Sequence, residues 1–155
     1  METSTVKISI SMRDQIVCGG ALFYAKATGR FLLLQKSSGK HKHTWSLVGG
    51  TSEAGETVWQ ALLREIQEEI GIHPPIIKTL PIETFVSNDE VFNFHTYMCV
   101  VDDEFKPILS SEHSGWCWCT IDGAPKPLHQ GLKSSLSNRT IKTKLQTIFD
   151  LVEYM

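Results

Sequence analysis

Three glutamates lie close together in a segment that otherwise has the pattern of a core helix. Glu65, Glu68 and Glu69 belong to the stretch GGTSEAGETVWQALLREIQEEIG, which runs from Gly49 to Gly71. An α-helix turns about 100° per residue, so the three carboxylates share one side of it. Like charges at this spacing repel one another and weaken an isolated helix. Such a patch suits a hard divalent cation, because Mg²⁺ and Mn²⁺ prefer oxygen ligands.

A solvated acidic helix face would also explain the three carboxylates, although such faces usually include lysine or arginine. Their neighbours favour a metal site. Arg64 lies beside them and can pair with a carboxylate such as Glu56 in the preceding loop. Gly50 and Gly55 allow that loop to fold tightly against the helix, which leaves backbone carbonyls free as ligands. Ala61 is on the acidic side, where its small side chain leaves room for a ligand to approach.

The helix that positions these groups has clear ends in the sequence. Thr57 and Gln60 fit a capping box, so the helix is predicted over Val58–Ile70, with Gly71 as its C-cap. Its opposite side carries an apolar stripe that is predicted to face the core, consisting of Trp59, Leu62, Leu63, Ile66 and Ile70.

The rest of the chain alternates apolar strands with polar turns. The segments QIVCGGALFYAK and RFLLLQKS predict a hairpin, and SND joins two strands within IETFVSNDEVFNFHTYMCVV. TWSLVGG and WCWCTID are shorter strands, METSTVKISISMRDQ is a strand or ordered arm, and DDEFKPILSSEHSG and GAPKPLHQG are loops. TIKTKLQTIFDLVEYM predicts a terminal helix with the apolar stripe Ile141, Leu145, Ile148, Phe149 and Val152. These elements predict an α/β (α+β) fold, with a mixed sheet covered by helices.

Composition and charge limit the classes of partner. The length of 155 residues predicts a single domain over 1–155, with ordinary hydrophobic and charged content. A net charge of -2 gives no electrostatic case for nucleic acid or an anionic membrane as partner. The absence of a long apolar stretch or a signal peptide predicts a cytoplasmic protein.

Cysteines and a short basic run are the other groups that could bind something. Cys117 and Cys119 share one face of a predicted strand but lack a second ligand pair, so zinc is disfavoured and all four cysteines are predicted to be free thiols. The basic run SSGKHKHTW fits either a solvated loop or a functional cluster, and its charged or titratable residues are Lys40, His41, Lys42 and His43.

The segment from Gly50 to Ile72 resembles the complete Nudix box, the signature of the Nudix (MutT-like) hydrolase family. The pattern is Gly-x5-Glu-x7-Arg-Glu-U-x-Glu-Glu-x-Gly-U, in which U is a bulky aliphatic residue. Gly50, Glu56 and the run REIQEEIGI from Arg64 match every fixed position. The strands before the box also resemble those of the family, whereas the C-terminal third matches more weakly. The resemblance implies an α/β/α sandwich with a mixed β-sheet between helices.

The resemblance implies catalytic and metal-binding roles for Glu65, Glu68 and Glu69, and a metal-binding role for the Gly50 carbonyl. Glu68 and Glu69 would be the central ligands and would face solvent and metal. Glu65 would be either a further ligand or the general base. An ion pair between Glu56 and Arg64 would hold the loop against the helix.

Many family members use one more glutamate from a later loop. Glu90, Glu104 and Glu112 could supply it here. Glu112 is the preferred catalytic residue, because it lies in a polar loop just before the strand GWCWC. His113 beside it could carry a proton, or could simply be a solvated loop histidine.

The activity implied by the resemblance is Mg²⁺- or Mn²⁺-dependent hydrolysis of a phosphoanhydride bond in a nucleoside diphosphate linked to another moiety. The partner would be a small nucleotide such as ADP-ribose or a dinucleoside polyphosphate, ranked above nucleoside triphosphates. A MutT-like hydrolase of oxidised nucleoside triphosphates and a non-catalytic nucleotide-binding module are the alternatives, and a homodimer stays open. Aromatic residues that could stack on a base are Phe23, Tyr24, Phe85, Phe92, Phe94, Tyr97, Trp116 and Trp118.

Overall fold

The structure is a computed structural model that describes residues 15–154. The arm predicted in METSTVKISISMRDQ therefore lies outside the described residues, apart from its last residue. The described residues form seven strands and three helices in the following order: β1 Ile16–Ala25, β2 Arg30–Lys36, β3 Trp45–Ser46, β4 Val48–Thr51, α1 Val58–Ile70, β5 Lys78–Val86, β6 Phe92–Val101, β7 His113–Cys119, α2 Gln130–Ser137 and α3 Arg139–Val152.

The strands form one mixed sheet. Its main order is β3-β2-β1-β6-β5, while β4 pairs with β1 and β7 pairs with β2. The pairing of β1 with β6 is parallel, and the other strand pairs are antiparallel. The predicted hairpin of β1 and β2 is present, and the prediction of a mixed sheet is confirmed.

Alternation along the strands divides the core between the two faces of the sheet. On β1, Ala21, Phe23 and Ala25 join a buried cluster that contains α1 residues, whereas Leu22 and Tyr24 join a second cluster with α2 and α3 residues. Strands β2 and β6 alternate in the same way. Both faces are buried, which explains why these strands are almost continuously apolar in sequence. The layers are therefore helix, sheet and helix, as the family resemblance implies.

Helix α1 begins and ends at the predicted residues. The Thr57 hydroxyl accepts the Gln60 amide, and the Gln60 side chain accepts the Thr57 amide, which completes the capping box. Gly71 has a φ of 69°, a left-handed conformation that favours glycine at a helix end. Two members of the predicted apolar stripe, Trp59 and Leu63, are only partly buried, while the other three are buried.

Two segments differ from the sequence-based prediction. Gln130 and Gly131, predicted as loop, form the first turn of α2, which His129 caps by accepting the Gly131 amide on Nδ1. This short helix buries little apolar surface, so its sequence lacks a strong helical period. Strand β7 begins at His113 rather than Trp116, because the preceding loop is drawn into pairing with β2.

Helix α3 confirms the predicted terminal helix, with Leu145, Phe149 and Val152 buried. The cysteines are free thiols, as predicted. Cys117 and Cys119 share one face of β7, also as predicted, and this face is on the α2/α3 side of the sheet. Within residues 15–154, no helix is both long and apolar enough to cross a membrane.

Candidate active site

The acidic side of α1 packs against the glycine pair at Gly49 and Gly50 in β4. The Gly49 amide donates a hydrogen bond of 2.8 Å to Glu69 Oε1. Glu69 is only 4% exposed, so the expectation that this carboxylate faces solvent is wrong. The buried position follows from the close approach of the β4 backbone, which glycine permits because it has no Cβ.

Glu65 lies directly against Gly50. A Cβ built on Gly50 would lie 2.5 Å from Glu65 Cδ, so only glycine leaves space for this carboxylate in its present position. The Glu65 side chain is 15% exposed, whereas that of Glu68 is 58% exposed. The three carboxylates therefore form a gradient from buried to solvent-facing.

Ala61 does not provide the opening that the sequence suggests. Its exposed fraction is 1%, because the acidic side of the helix is covered by protein at this turn. A ligand must therefore approach the carboxylates nearer the C-terminal end of α1.

Arg64 connects the loop to the helix, and its predicted pairing with Glu56 is present. Its Nε and Nη2 donate to the two Glu56 carboxylate oxygens at 2.9 and 3.0 Å. Nη2 also donates to the Thr51 carbonyl at 3.1 Å, and Nη1 donates to Glu65 Oε1 at 2.8 Å. The hydrogen bonds that Arg64 donates to Glu56 hold the pKa of Glu56 below its usual range. One guanidinium therefore fixes both the loop and the Glu65 carboxylate.

Electrostatics at the buried end of the site favour a cation. Burial raises the pKa of Glu69 to about 8, and the Glu65 and Glu112 carboxylates add to this effect, while the Gly49 amide and Lys36 oppose it. Burial also raises the pKa of Glu65, against the opposing effect of Arg64. A divalent cation would supply the attraction that water no longer provides, so a donor set of carboxylate oxygens at this site fits such an ion.

The raised pKa of Glu69 predicts a pH dependence of stability in metal-free protein. The usual value of 4.5 applies to the unfolded chain, so between pH 4.5 and about 8 the native state holds a proton that the unfolded state has released. This contribution to stability is complete at low pH and is lost as pH rises through 8. In EDTA, the melting temperature of wild type relative to Glu69→Gln should therefore fall between pH 5.5 and 8.5 (roughly the window set by these values). A difference that stays constant over this range would contradict the burial argument.

Gly50→Ala tests how closely the loop fits Glu65. The new Cβ must displace the carboxylate, and we expect turnover to fall by ~10–100-fold, as for other groups that orient a metal site. The melting temperature should change little, because the group that moves is the end of a side chain. In a Glu65→Ala background, Gly50→Ala should have almost no further effect. Equal losses of turnover in both backgrounds would show that the alanine acts elsewhere.

Of the three loop glutamates considered from the sequence, Glu112 is the one that the structure brings to Glu69. Ligand atoms of Glu69, Glu112 and His113 all lie within 4.8 Å of one another. Glu104 instead forms a bidentate ion pair with Arg30, with N···O distances of 2.7 and 2.8 Å. Glu90 lies in a turn, where its φ is 60°. His113 is not the solvated loop histidine considered above, because its side chain is 6% exposed.

A cavity of about 490 Å³ opens beside Glu69. Its walls include Gly49, Gly50 and His113 at the acidic end, and three of the aromatic residues noted in the sequence, namely Phe85, Phe92 and Phe94. Lys36, His41 and His129 supply basic or polar nitrogen atoms to the same cavity. By contrast, Phe23, Tyr24 and Trp118 are core residues.

Lys36 is absent from the candidate residues derived from the sequence, whereas His129 lies in the segment PKPLHQG, for which the sequence allows either a substrate rim or a plain loop. Lys36 is the last residue of β2 and reaches the site through its pairing with β7, a long-range contact with no local sequence pattern. The His41 and His129 rings lie 4.5 Å apart between centroids, so residues far apart in sequence form one cluster. Of the basic run, His41 is the member that lines the cavity, and only the fold could reveal its partner.

The chain is similar in sequence and in fold to several known proteins. The asymmetrical bis(5'-nucleosyl)-tetraphosphatase of Caenorhabditis elegans is 30% identical over 120 residues, which cover 72% of this chain and 83% of that protein. The MutT NUDIX hydrolase structure from Burkholderia pseudomallei has a TM-score of 0.65 at 25% identity, covering 79% of this chain and 96% of its own. A C. elegans Ap4A hydrolase binary complex shares the fold, with a TM-score of 0.61, 23% identity and coverage of 89% and 99%.

The family model for the NUDIX domain matches residues 18–138. This range runs from β1 to the end of α2. It contains the acidic helix, the glycine pair of β4, Glu112 and the cavity walls from β1 to α2. The match covers well over half of the chain, and the chain therefore belongs to the Nudix family.

Proposed function

We propose that this protein is a pyrophosphohydrolase that cleaves a phosphoanhydride bond in a nucleoside diphosphate linked to another moiety, with Mg²⁺ or Mn²⁺ as cofactor. The observation that carries the proposal is that buried Glu69, which lines a nucleotide-sized cavity, lies close to loop residue Glu112. A non-catalytic binding module has no need of a complete set of site carboxylates, and this chain retains all of them.

In this proposal, Glu68, Glu69 and the Gly50 carbonyl hold the cation. Glu112 approaches Glu69 from the loop before β7. When bound, the cation would neutralise charge on the phosphate oxygens and lower the pKa of the attacking water. The Gly49 amide holds Glu69 in place, and Arg64 holds the loop against the helix through Glu56. These contacts form before substrate binds, so little reorganisation is needed.

Glu65 is proposed as the general base. Its Oε1 is held by Arg64 Nη1, which leaves Oε2 to accept the proton of the attacking water. Burial raises its pKa, which moves a carboxyl group towards the range in which it accepts protons effectively near neutral pH. Glu65→Gln should therefore lose turnover and keep metal affinity. Loss of metal affinity in this variant would make Glu65 a ligand instead.

The cavity supports a nucleotide conjugate as substrate. Lys36 and the histidine pair of His41 and His129 can contact phosphate oxygens, since they line the same space as Glu69. His129 Nδ1 accepts the Gly131 amide, so a neutral ring carries its proton on Nε2 and can donate it. Phe85, Phe92 and Phe94 provide an aromatic wall for a base.

Among nucleotide conjugates, dinucleoside polyphosphates are the first choice. A relative that is 30% identical over 72% of this chain is named for cleaving such a compound. A second nucleoside would also stack on the phenylalanines of the cavity wall, while the phosphates contact Lys36 and the two histidines. ADP-ribose is the next class, and nucleoside triphosphates follow.

The test is hydrolysis across a nucleotide panel with Mg²⁺, with Mn²⁺ and with EDTA. The panel contains diadenosine polyphosphates, ADP-ribose, FAD, sugar nucleotides, and normal and oxidised deoxynucleoside triphosphates. Metal-dependent cleavage of diadenosine polyphosphates, lost in Glu69→Gln, is the expected result. Preferential cleavage of triphosphates would move the protein to the MutT-like alternative. Nucleotide binding without cleavage of any panel member would overturn the enzymatic proposal.

A further inference from the structure

A bulge in β7 determines where the His113 side chain points. Strand β2 pairs Gln35 with Gly115 but Lys36 with His113, so Ser114 is an extra residue in the ladder. Side chains alternate between the two faces of a strand, and an inserted residue reverses the face for everything beyond it. His113 therefore shares the face of Lys36, towards α1, instead of the opposite face that it would occupy in a regular strand.

The position that results is buried and faces a carboxylate. The His113 side chain is 6% exposed, and its Nε2 lies 3.8 Å from Glu69 Oε2, beyond hydrogen-bond distance. Its Nδ1 is also buried and has no hydrogen-bond partner among residues 15–154. Buried imidazole nitrogens are normally hydrogen-bonded, so a histidine that packs for structural reasons alone would leave this arrangement unexplained.

Glu112 completes a set of three donors around one point. One ligand atom each from Glu69, Glu112 and His113 lies within 4.8 Å of the other two. Ligands that share one ion at bond lengths of about 2.0–2.2 Å are at most about 4.4 Å apart. The Glu112 side chain is exposed, so it has room to turn towards an ion shared by this set.

We propose that His113 is a nitrogen ligand of the divalent cation, together with Glu69 and Glu112. The inference rests on the proposed function, in which this site holds a divalent cation. An imidazole ligand changes the selectivity of a carboxylate site, because it favours transition metals such as Co²⁺ far more than Mg²⁺. The protein should therefore bind Co²⁺ and Mn²⁺ more tightly than Mg²⁺.

The decisive measurement is pulsed electron paramagnetic resonance of Mn²⁺ bound to the protein without nucleotide. Wild type should show ¹⁴N coupling from a directly bound imidazole, and His113→Gln should retain bound Mn²⁺ but lose the coupling. His73→Gln is the matched control, because His73 is exposed in the segment after α1, and this variant should keep the wild-type spectrum. The wild-type spectrum needs no variant, so the test stands even where His113→Gln does not fold.

Metal titration gives a second readout. The Co²⁺ dissociation constant should rise at least ~10-fold in His113→Gln, the lower end of what even an indirect contact to a metal site contributes. The Mg²⁺ dissociation constant should change much less. Mn²⁺ that binds through Glu69 without ¹⁴N coupling would overturn the role of His113 and leave the proposed function intact. Binding of Mn²⁺ that is unaffected by Glu69→Gln would overturn both.

Discussion

Replacing Glu69 by glutamine is expected to reduce kcat/KM by about 10²–10³-fold, the loss typical of removing one preorganised electrostatic group from an active site. The glutamine keeps a carbonyl oxygen that can accept the Gly49 amide, so the loop and helix should stay in contact. What disappears is the negative charge that is needed to hold a cation. The measurement is steady-state hydrolysis of the preferred substrate at saturating Mg²⁺.

The same substitution should not damage the fold. The carboxylate is buried and its pKa is raised to about 8, so neutralising it removes an unfavourable charge from metal-free protein. In EDTA at pH 8, the melting temperature of Glu69→Gln should equal or exceed that of wild type. Glu153→Gln is the control for loss of one charge, because Glu153 is exposed after α3. Turnover close to wild type in Glu69→Gln would refute the proposed metal site.

Ile66→Ala should have the opposite pattern, with a large loss of stability and little loss of chemistry. Ile66 is 1% exposed within the cluster between α1 and the sheet, on the other side of the helix from the carboxylates. Removing such a side chain from a packed core costs about 2–5 kcal/mol. In a domain of this size, each kcal/mol lowers the melting temperature by roughly 2–4 °C.

A matched control for Ile66→Ala lies on the same helix. Gln67 is exposed, so Gln67→Ala changes helix composition without touching the core and should leave the melting temperature nearly unchanged. At a temperature where the Ile66→Ala protein is fully folded, its kcat should approach that of wild type. An unchanged melting temperature for Ile66→Ala would contradict the packing described here.

Trp59→Ala should lower the melting temperature less than its place in the apolar stripe suggests, because Trp59 is only partly buried and meets Tyr97 edge to face.

Helix α1 shows what local sequence can determine by itself. The capping box at Thr57 and the left-handed glycine at Gly71 depend on contacts within a few residues, so both helix ends are predictable. The pairing of Arg64 with Glu56 joins residues only eight positions apart, and the box that contains them has fixed gaps. The family, the helix and the chemical nature of the site all follow from this one segment.

Other features required the assembled sheet. Whether a carboxylate on α1 is exposed depends on which strand packs over it, and Gly49 of β4 covers Glu69 while Glu68 stays in solvent. Burial of Ala61 has the same origin. The sequence already favoured Glu112 over Glu104, and the fold adds that Arg30 engages Glu104 whereas Glu112 lies close to Glu69.

The sequence by itself therefore predicted the acidic helix and a mixed sheet covered by helices, because both depend on the periodic pattern of neighbouring residues. The fixed short spacings of the Nudix box indicated the family, and that resemblance implied the α/β/α sandwich. The tertiary structure alone decided that Lys36, His41 and His129 share a cavity with Glu69, and that His113 turns towards this carboxylate. The physical reason is that these positions depend on strand register. One extra residue at Ser114 changes the face on which His113 lies, and only pairing with β2 reveals this residue as extra.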